Sequence, residues 1–341
     1  MALRRLGRIL VAAALVVTAF PAARPTTAAE PARVSMILNW VAGGDHAPYY
    51  YAQKMGWYKG AGIDLTLEQG KGSALAAQKT GAGTNQFGLA DMGTVMAARG
   101  KGADEVAVMM VYEVFPEGFY WLKSSGIKSL HDLAGKKVGN PPGDAGRVIW
   151  PALAKINHMD PSAITWVNLQ PAAKVTALKT GAVDAVTEFY NLHHVYAREL
   201  GANMGYLAWK DAGVNPYGNA IIVNGEYLRA HKDVVAAFTK VNQRAFVACS
   251  QNPEPCINAL VEANSGLDVA SEMQNWREVA TLITNKDSTT VAAGWMDPKR
   301  MASDYDLIKT YIGIDKPYDV KTAFTDEFLS KEFKIPASAA K

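Results

Sequence analysis

Apolar positions in the first part of the chain fall into short β-branched runs separated by amphipathic stretches of helical length. Residues 34–38 read as a strand, followed by a polar, glycine-rich loop over 39–46. A helix over 48–55 comes next, with Pro48 in its first turn and Gly56 after its end. Ile63, Leu65 and Leu67 alternate along a second strand, 63–68. An alanine-rich helix (73–80), a strand (87–90), a helix (95–99) and a strand (106–112) complete a first unit.

The same grammar then repeats. Ser129 caps a short turn before a strand at Lys137-Val138, and an amphipathic segment runs to Asn157 with Pro151 inside it, which predicts a kink or a late helix start. Strand 164–169, helix 172–180 and strand 185–188 follow. A β-branched run returns at 220–223, and 226–312 reads almost wholly helical. Strands alternating with helices at this spacing predict an α/β protein with largely parallel sheets covered on both faces. Crossings near 120–124 and 218–224 divide it into a discontinuous first lobe, 30–121 with 220–341, and an inserted second lobe, 122–219. Such a double-crossing hinge permits closure over an interlobe cleft.

Length agrees with two lobes, since roughly 310 residues exceed what one core usually supports. Residues 1–29 are set aside as a signal peptide. Arg4, Arg5 and Arg8 precede an apolar run from Ile9 to Phe20 and a small-residue stretch ending at Ala28-Ala29. The segment carries four arginines and no acid, so its removal takes the formal charge from +3 to −1. No dense cluster of Lys and Arg remains, which argues against nucleic acid as a partner. No later apolar run is long enough to span a bilayer. Cys249 and Cys256 flank a turn-rich segment, and in an exported chain they are expected to form a local disulfide, the alternative being two free thiols.

Open α/β sheets bind ligands at the carboxyl ends of their strands. The candidate ligand contacts there are Asn39, Trp40, His46 and Tyr49 after the first strand, and Gly93 and Thr94 after the third. Gly143, Asp144, Ala145 and Gly146 follow in the second unit, then Glu188, Tyr190 and Asn191, with Tyr217 near the return crossing. Trp40, Tyr190 and Tyr217 suit stacking on a flat ring, each aromatic pair adding about 0.5–1.5 kcal/mol beyond burial. Glu188 can accept hydrogen bonds from adjacent ring and amino N–H groups. His46 can donate to a ligand oxygen or act as a polar cap. The 143–146 loop offers backbone N–H groups at a helix start, where an anion or carbonyl could sit. Arg147, beside that loop, keeps an anionic ligand in play. No lysine follows these glycines in the manner of a phosphate-binding loop, so nucleotide hydrolysis is unsupported. Adjacent His193 and His194 diverge by roughly 100° on a helix and make a poor metal pair, so no metal site is expected.

Several ordered segments carry a family resemblance. Leu38-Asn39-Trp40, Tyr51-Ala52-Gln53-Lys54-Met55-Gly56-Trp57-Tyr58, Gly62-Ile63-Asp64-Leu65 and Phe87-Gly88-Leu89-Ala90-Asp91 are four of them; Asp132 to Gly139 and Leu178 to Ala185 extend the series. Together they resemble the pyrimidine-precursor and sulfonate or nitrate binding-protein superfamily over residues 34–230. The resemblance implies a type II periplasmic binding fold. It also implies a monomer without cofactor that delivers a small solute to the permease and ATPase subunits of an ATP-binding-cassette (ABC) importer. A pyrimidine-like solute is the first expectation, and a small anion such as sulfonate, taurine or nitrate the second. An enzyme on the same scaffold is the third: the superfamily includes a pyrimidine synthase that uses pyridoxal phosphate and a cysteine-rich motif, and this chain has no cysteine cluster. A menaquinone-pathway lyase of this fold would more naturally be cytoplasmic, and no Gly-x-Ser-x-Gly elbow supports a hydrolase.

Overall fold

The computed structural model describes residues 30–340, so the expected signal peptide lies outside the described residues. The first strand, β1 (Ala32–Ile37), leads through the 39–46 loop into α1 (Ala47–Lys54) and a short α2 (Trp57–Gly60). Next come β2 (Ile63–Glu68), α3 (Ser73–Gly81), β3 (Phe87–Asp91), α4 (Met92–Arg99) and β4 (Glu105–Met110). The second half contains β5 (Glu117–Leu122), β6 (Lys137–Asn140), α5 (Ala145–Ile156), β7 (Thr165–Asn168), α6 (Lys174–Lys179), β8 (Ala185–Phe189), α7 (His193–Leu200) and β9 (Met204–Ala208). After β10 (Asn219–Asn224) the chain is helical: α8 (Gly225–Ala230), α9 (Lys232–Gln251), α10 (Glu254–Ala263), α11 (Val269–Ile283), α12 (Lys286–Thr290) and α13 (Pro298–Tyr311).

Two five-stranded sheets result, ordered β2-β1-β3-β10-β4 and β7-β6-β8-β5-β9. Both are mixed rather than largely parallel. The strand that arrives from the other half, β10 in one sheet and β5 in the other, inserts antiparallel between two neighbours. Because β5 already belongs to the second sheet, the chain passes between sheets over 111–116 and returns over 209–218, both earlier than the crossings expected near 120–124 and 218–224. Strands β5 and β9 were not legible in the sequence. The helix α5 starts at Ala145 and continues through Pro151, so no late start occurs; the proline only withholds one N–H from the helix ladder.

Helices cover both faces of the sheets. One core packs α1, α9, α10 and α11 against the first sheet, with Phe87 stacked on Phe238 at 3.8 Å between ring centroids. Another runs from the first sheet through α4, α5 and α13 to Phe119 of the second, on which Trp150 and Trp209 pack. A third, around Tyr120, Val186 and Tyr196, lies under α6 and α7. Among the described residues no helix is long and apolar enough to cross a membrane.

Cys249 at the end of α9 and Cys256 in α10 are joined by a disulfide, and both are buried. Closing so short a loop restrains the unfolded chain by about 2.5 kcal/mol. Reduction is therefore expected to lower the unfolding free energy by that amount, read as a lower denaturant midpoint, without abolishing the fold; an unchanged midpoint would contradict this.

Candidate functional site

The carboxyl ends of β1, β3, β6 and β8 face one another, and three of the loops that follow them line a cleft between the two sheets. The cleft has a volume of about 340 Å³, part of it open to solvent. Its lining includes Asn39, Trp40, Asp45 and Ser73 from the first half and Asp144, Ala145, Glu188 and Asn191 from the second.

Local chemistry sets each of these in place. His46 is fully buried, and desolvation depresses its pKa to about 3, so the ring is neutral. Its Nδ1 accepts from the Gly43 N–H (3.2 Å), which leaves Nε2–H to donate to Asn39 Oδ1 at 3.0 Å. His46 thus orients Asn39 from behind and does not itself line the cleft. Trp40 projects half-buried into the cleft. Asp45 accepts from the Tyr112 hydroxyl (3.4 Å), and burial raises its carboxyl to about pH 7.

Across the cleft, Asp144 caps α5 by accepting the Gly146 N–H at 2.7 Å. Lys174, the first residue of α6, buries its ammonium 3.1 Å from Glu188 Oε2, 3.9 Å from Asp144 Oδ2 and 4.7 Å from the Trp40 ring centroid. Glu188 also accepts from the Tyr196 hydroxyl (3.3 Å). Burial pushes the Glu188 carboxyl up, against the opposing charge of Lys174. Asn191 donates to Asn275 (3.5 Å) and leaves its Oδ1 without a partner.

Contacts across the cleft come from named groups. The Ala74 N–H donates to the Gly143 carbonyl (3.0 Å), and Gly72 lies at φ +130°, where a side chain would collide with that carbonyl. On the other flank His194 of α7 meets Glu278 (3.0 Å) and Ser271 (3.2 Å) of α11.

Other expected contacts lie elsewhere. Tyr49 is buried edge-on against Phe246 in the helical core. Gly93 sits where α4 packs on Ile149, and the Thr94 N–H donates to Asp91 at the α4 cap (2.8 Å). Gly143 and Gly146 shape the α5 entry rather than line the cleft. Tyr190 faces a separate recess at the hinge with Pro116, Tyr206 and Lys210. Tyr217 is buried, its hydroxyl accepting the Asp297 N–H (3.0 Å) and its ring lying under Arg300. Arg147 turns away from the cleft to the Asn140 and Val167 carbonyls and the Trp166 ring. His193 and His194 hold separate partners, Tyr120 and Glu278, and no cluster suited to a metal occurs among the described residues. Sequence reasoning passed over Asp45 and Lys174. Asp45 stands in the loop already singled out, whereas Lys174 gives no local signal because its partner Glu188 lies on another element.

Several buried carboxyls have raised values: Asp45 and Glu272 to about 7, Glu105 and Glu113 to about 8, all through desolvation. Such groups are held protonated in the folded state, so the stability they contribute is complete below the ordinary carboxylate range and is lost as pH rises through the folded values. The melting temperature is expected to be higher near about pH 5 than near about pH 9. A profile rising over that span would contradict the burial of these acids.

The family described as NMT1/THI5 like matches residues 44–255. A protein of Legionella pneumophila named 4-amino-5-hydroxymethyl-2-methylpyrimidine phosphate synthase is 25% identical over 87% of this chain and 92% of its own length. The riboflavin-binding protein RibY of Chloroflexus aurantiacus is 24% identical over 91% of each chain. Among solved structures, the alkanesulfonate-binding protein SsuA of Xanthomonas axonopodis pv. citri, bound to MOPS, superposes with a TM-score of 0.66 at 19% identity, covering 87% of this chain and 99% of its own. The fold of the two mixed sheets is that of this periplasmic-binding-protein group.

Proposed function

Because the chain belongs to the NMT1/THI5-like family, we propose that it is the periplasmic solute-binding component of an ABC importer, closing two lobes over a small nitrogen heterocycle and handing it to permease and ATPase subunits. The observation that carries this reading is the chemistry of the cleft: Trp40, its ring 4.7 Å from the Lys174 ammonium, shares the lining with Glu188, Asp144 and Asn191, the last with an unpartnered Oδ1. A ring with N–H donors along one edge matches that set, stacking on the indole while its edge meets the carboxylates.

The anion alternative fits less well. Arg147 is turned to backbone carbonyls, the Gly146 N–H at the start of α5 is taken by Asp144, and the Lys174 ammonium rests on Glu188. A synthase reading rests on the names of relatives, the Legionella protein among them. The cleft does not fit pyridoxal phosphate: three acidic side chains line it, and its neighbouring lysine is tied to two of them. The chain's two cysteines are joined to each other, leaving none for a cysteine-rich motif.

A thermal-shift screen against aminopyrimidines, flavins, alkanesulfonates, taurine and nitrate tests the proposal. A saturable shift with a flat nitrogen heterocycle is expected, confirmed by titration calorimetry. A shift confined to sulfonates or nitrate would overturn the heterocycle in favour of an anion.

A further inference from the structure

The charge balance of the cleft goes further than the shape of its ligand. Three acidic side chains line it, Asp45, Asp144 and Glu188, each about one-twentieth exposed, and among the described residues no arginine or lysine appears in the lining. Asn191, equally buried, adds an acceptor oxygen that has no partner. The one ammonium at hand is that of Lys174, whose side chain is 1% exposed. It rests on two of the carboxylates and over the Trp40 ring. Two carboxylates and an indole face, supplied by three different elements from both halves, are what a bound organic cation would use. Lys174 follows the short turn at Pro171–Ala173 and reaches the site on a flexible four-carbon stem.

Resting on the solute-binding reading above, we propose that the cleft selects a cationic solute, a protonated amine or positively charged nitrogen heterocycle, and that the Lys174 ammonium holds the cation's place between the lobes until the solute displaces it. Here the ammonium already lies against the acids and the ring that the ligand requires.

Removing the lysine should empty a ready-made cation site. K174A protein, titrated with n-propylammonium and followed by tryptophan fluorescence, is expected to bind it saturably in the millimolar range. It should show no saturable response to n-propanol, and the wild-type protein none to either. Adding E188Q to K174A should weaken n-propylammonium binding at least tenfold. Failure of folded K174A to take n-propylammonium, or equal binding of n-propanol, overturns the proposal. Should K174A not fold alone, restoration of its far-ultraviolet circular dichroism by n-propylammonium counts in favour, and no restoration counts against.

The wild-type protein supplies a second test through a matched pair, 4-aminopyridine, protonated at neutral pH, and aniline, which is neutral. At least tenfold preference for the cation is expected, and equal binding, or preference for aniline, overturns the assignment. The two readings fail separately. A neutral or anionic solute saturating the cleft would remove the charge assignment and keep the binding protein. A K174A protein that takes n-propylammonium, beside a wild type that answers to no solute, would do the reverse.

Discussion

Glu188→Ala is expected to destabilise the protein by about 3 kcal/mol, the scale of an ion pair broken in the interior. The cause is the charge left behind. Lys174 is buried, and once Glu188 is gone its nearest acid is Asp144 at 3.9 Å. The companion expectation separates this from simple loss of packing. Adding Lys174→Met to Glu188→Ala should recover much of the loss, because the uncompensated ammonium leaves with the carboxylate. Lys174→Ala alone should cost less than Glu188→Ala, since burial already raises the Glu188 carboxyl and it can take up a proton when its partner is lost. Urea denaturation of the four proteins decides the matter. Equal losses in the single and double variants would show that the pair is not what holds these elements together.

Trp40→Ala is expected to lower solute affinity at least tenfold, equivalent to about 1.4 kcal/mol, with little change in melting temperature. The indole stands half-buried on the loop after β1 and lines the cleft, so its removal takes away the stacking face without opening the core beneath. Fully buried aromatic residues behave differently. Phe87→Ala or Trp150→Ala should cost about 3–5 kcal/mol and leave the affinity of the surviving folded protein nearly unchanged. If Trp40→Ala melted like those core variants, Trp40 would be part of the packing and not of the site.

The alternation of strands and helices was legible because each half repeats short β-branched strands and amphipathic helices, and the three loops that line the cleft follow directly from strand ends. Strand β5 was hidden because Glu117 and Gly118 interrupt its apolar run, and its pairing with Phe189 and Glu188 spans about seventy residues. That omission moved the expected crossing too far along the chain. Aromatic residues near the crossing misled for a related reason. Tyr217 has the chemistry of a stacking residue, yet the Asp297 N–H and the Arg300 guanidinium claim it, and both come from a helix entry some eighty residues later. Arg147 follows the cleft loop in sequence but points to the opposite side of the α5 entry, where two carbonyls take it up. Lys174 was beyond reach altogether, since nothing in its own segment announces a buried ammonium. Its meaning comes from Trp40, Asp144 and Glu188, which lie on three other elements.

The most direct test of a cleft that captures solute is titration calorimetry of the purified protein with the strongest hit of the thermal-shift screen, repeated on Trp40→Ala, Glu188→Gln and Tyr217→Phe. One solute per chain is the predicted result, with affinity reduced at least tenfold by each of the first two substitutions and unaffected by the third. Binding that survives both Trp40→Ala and Glu188→Gln would place the solute outside this cleft and contradict the account.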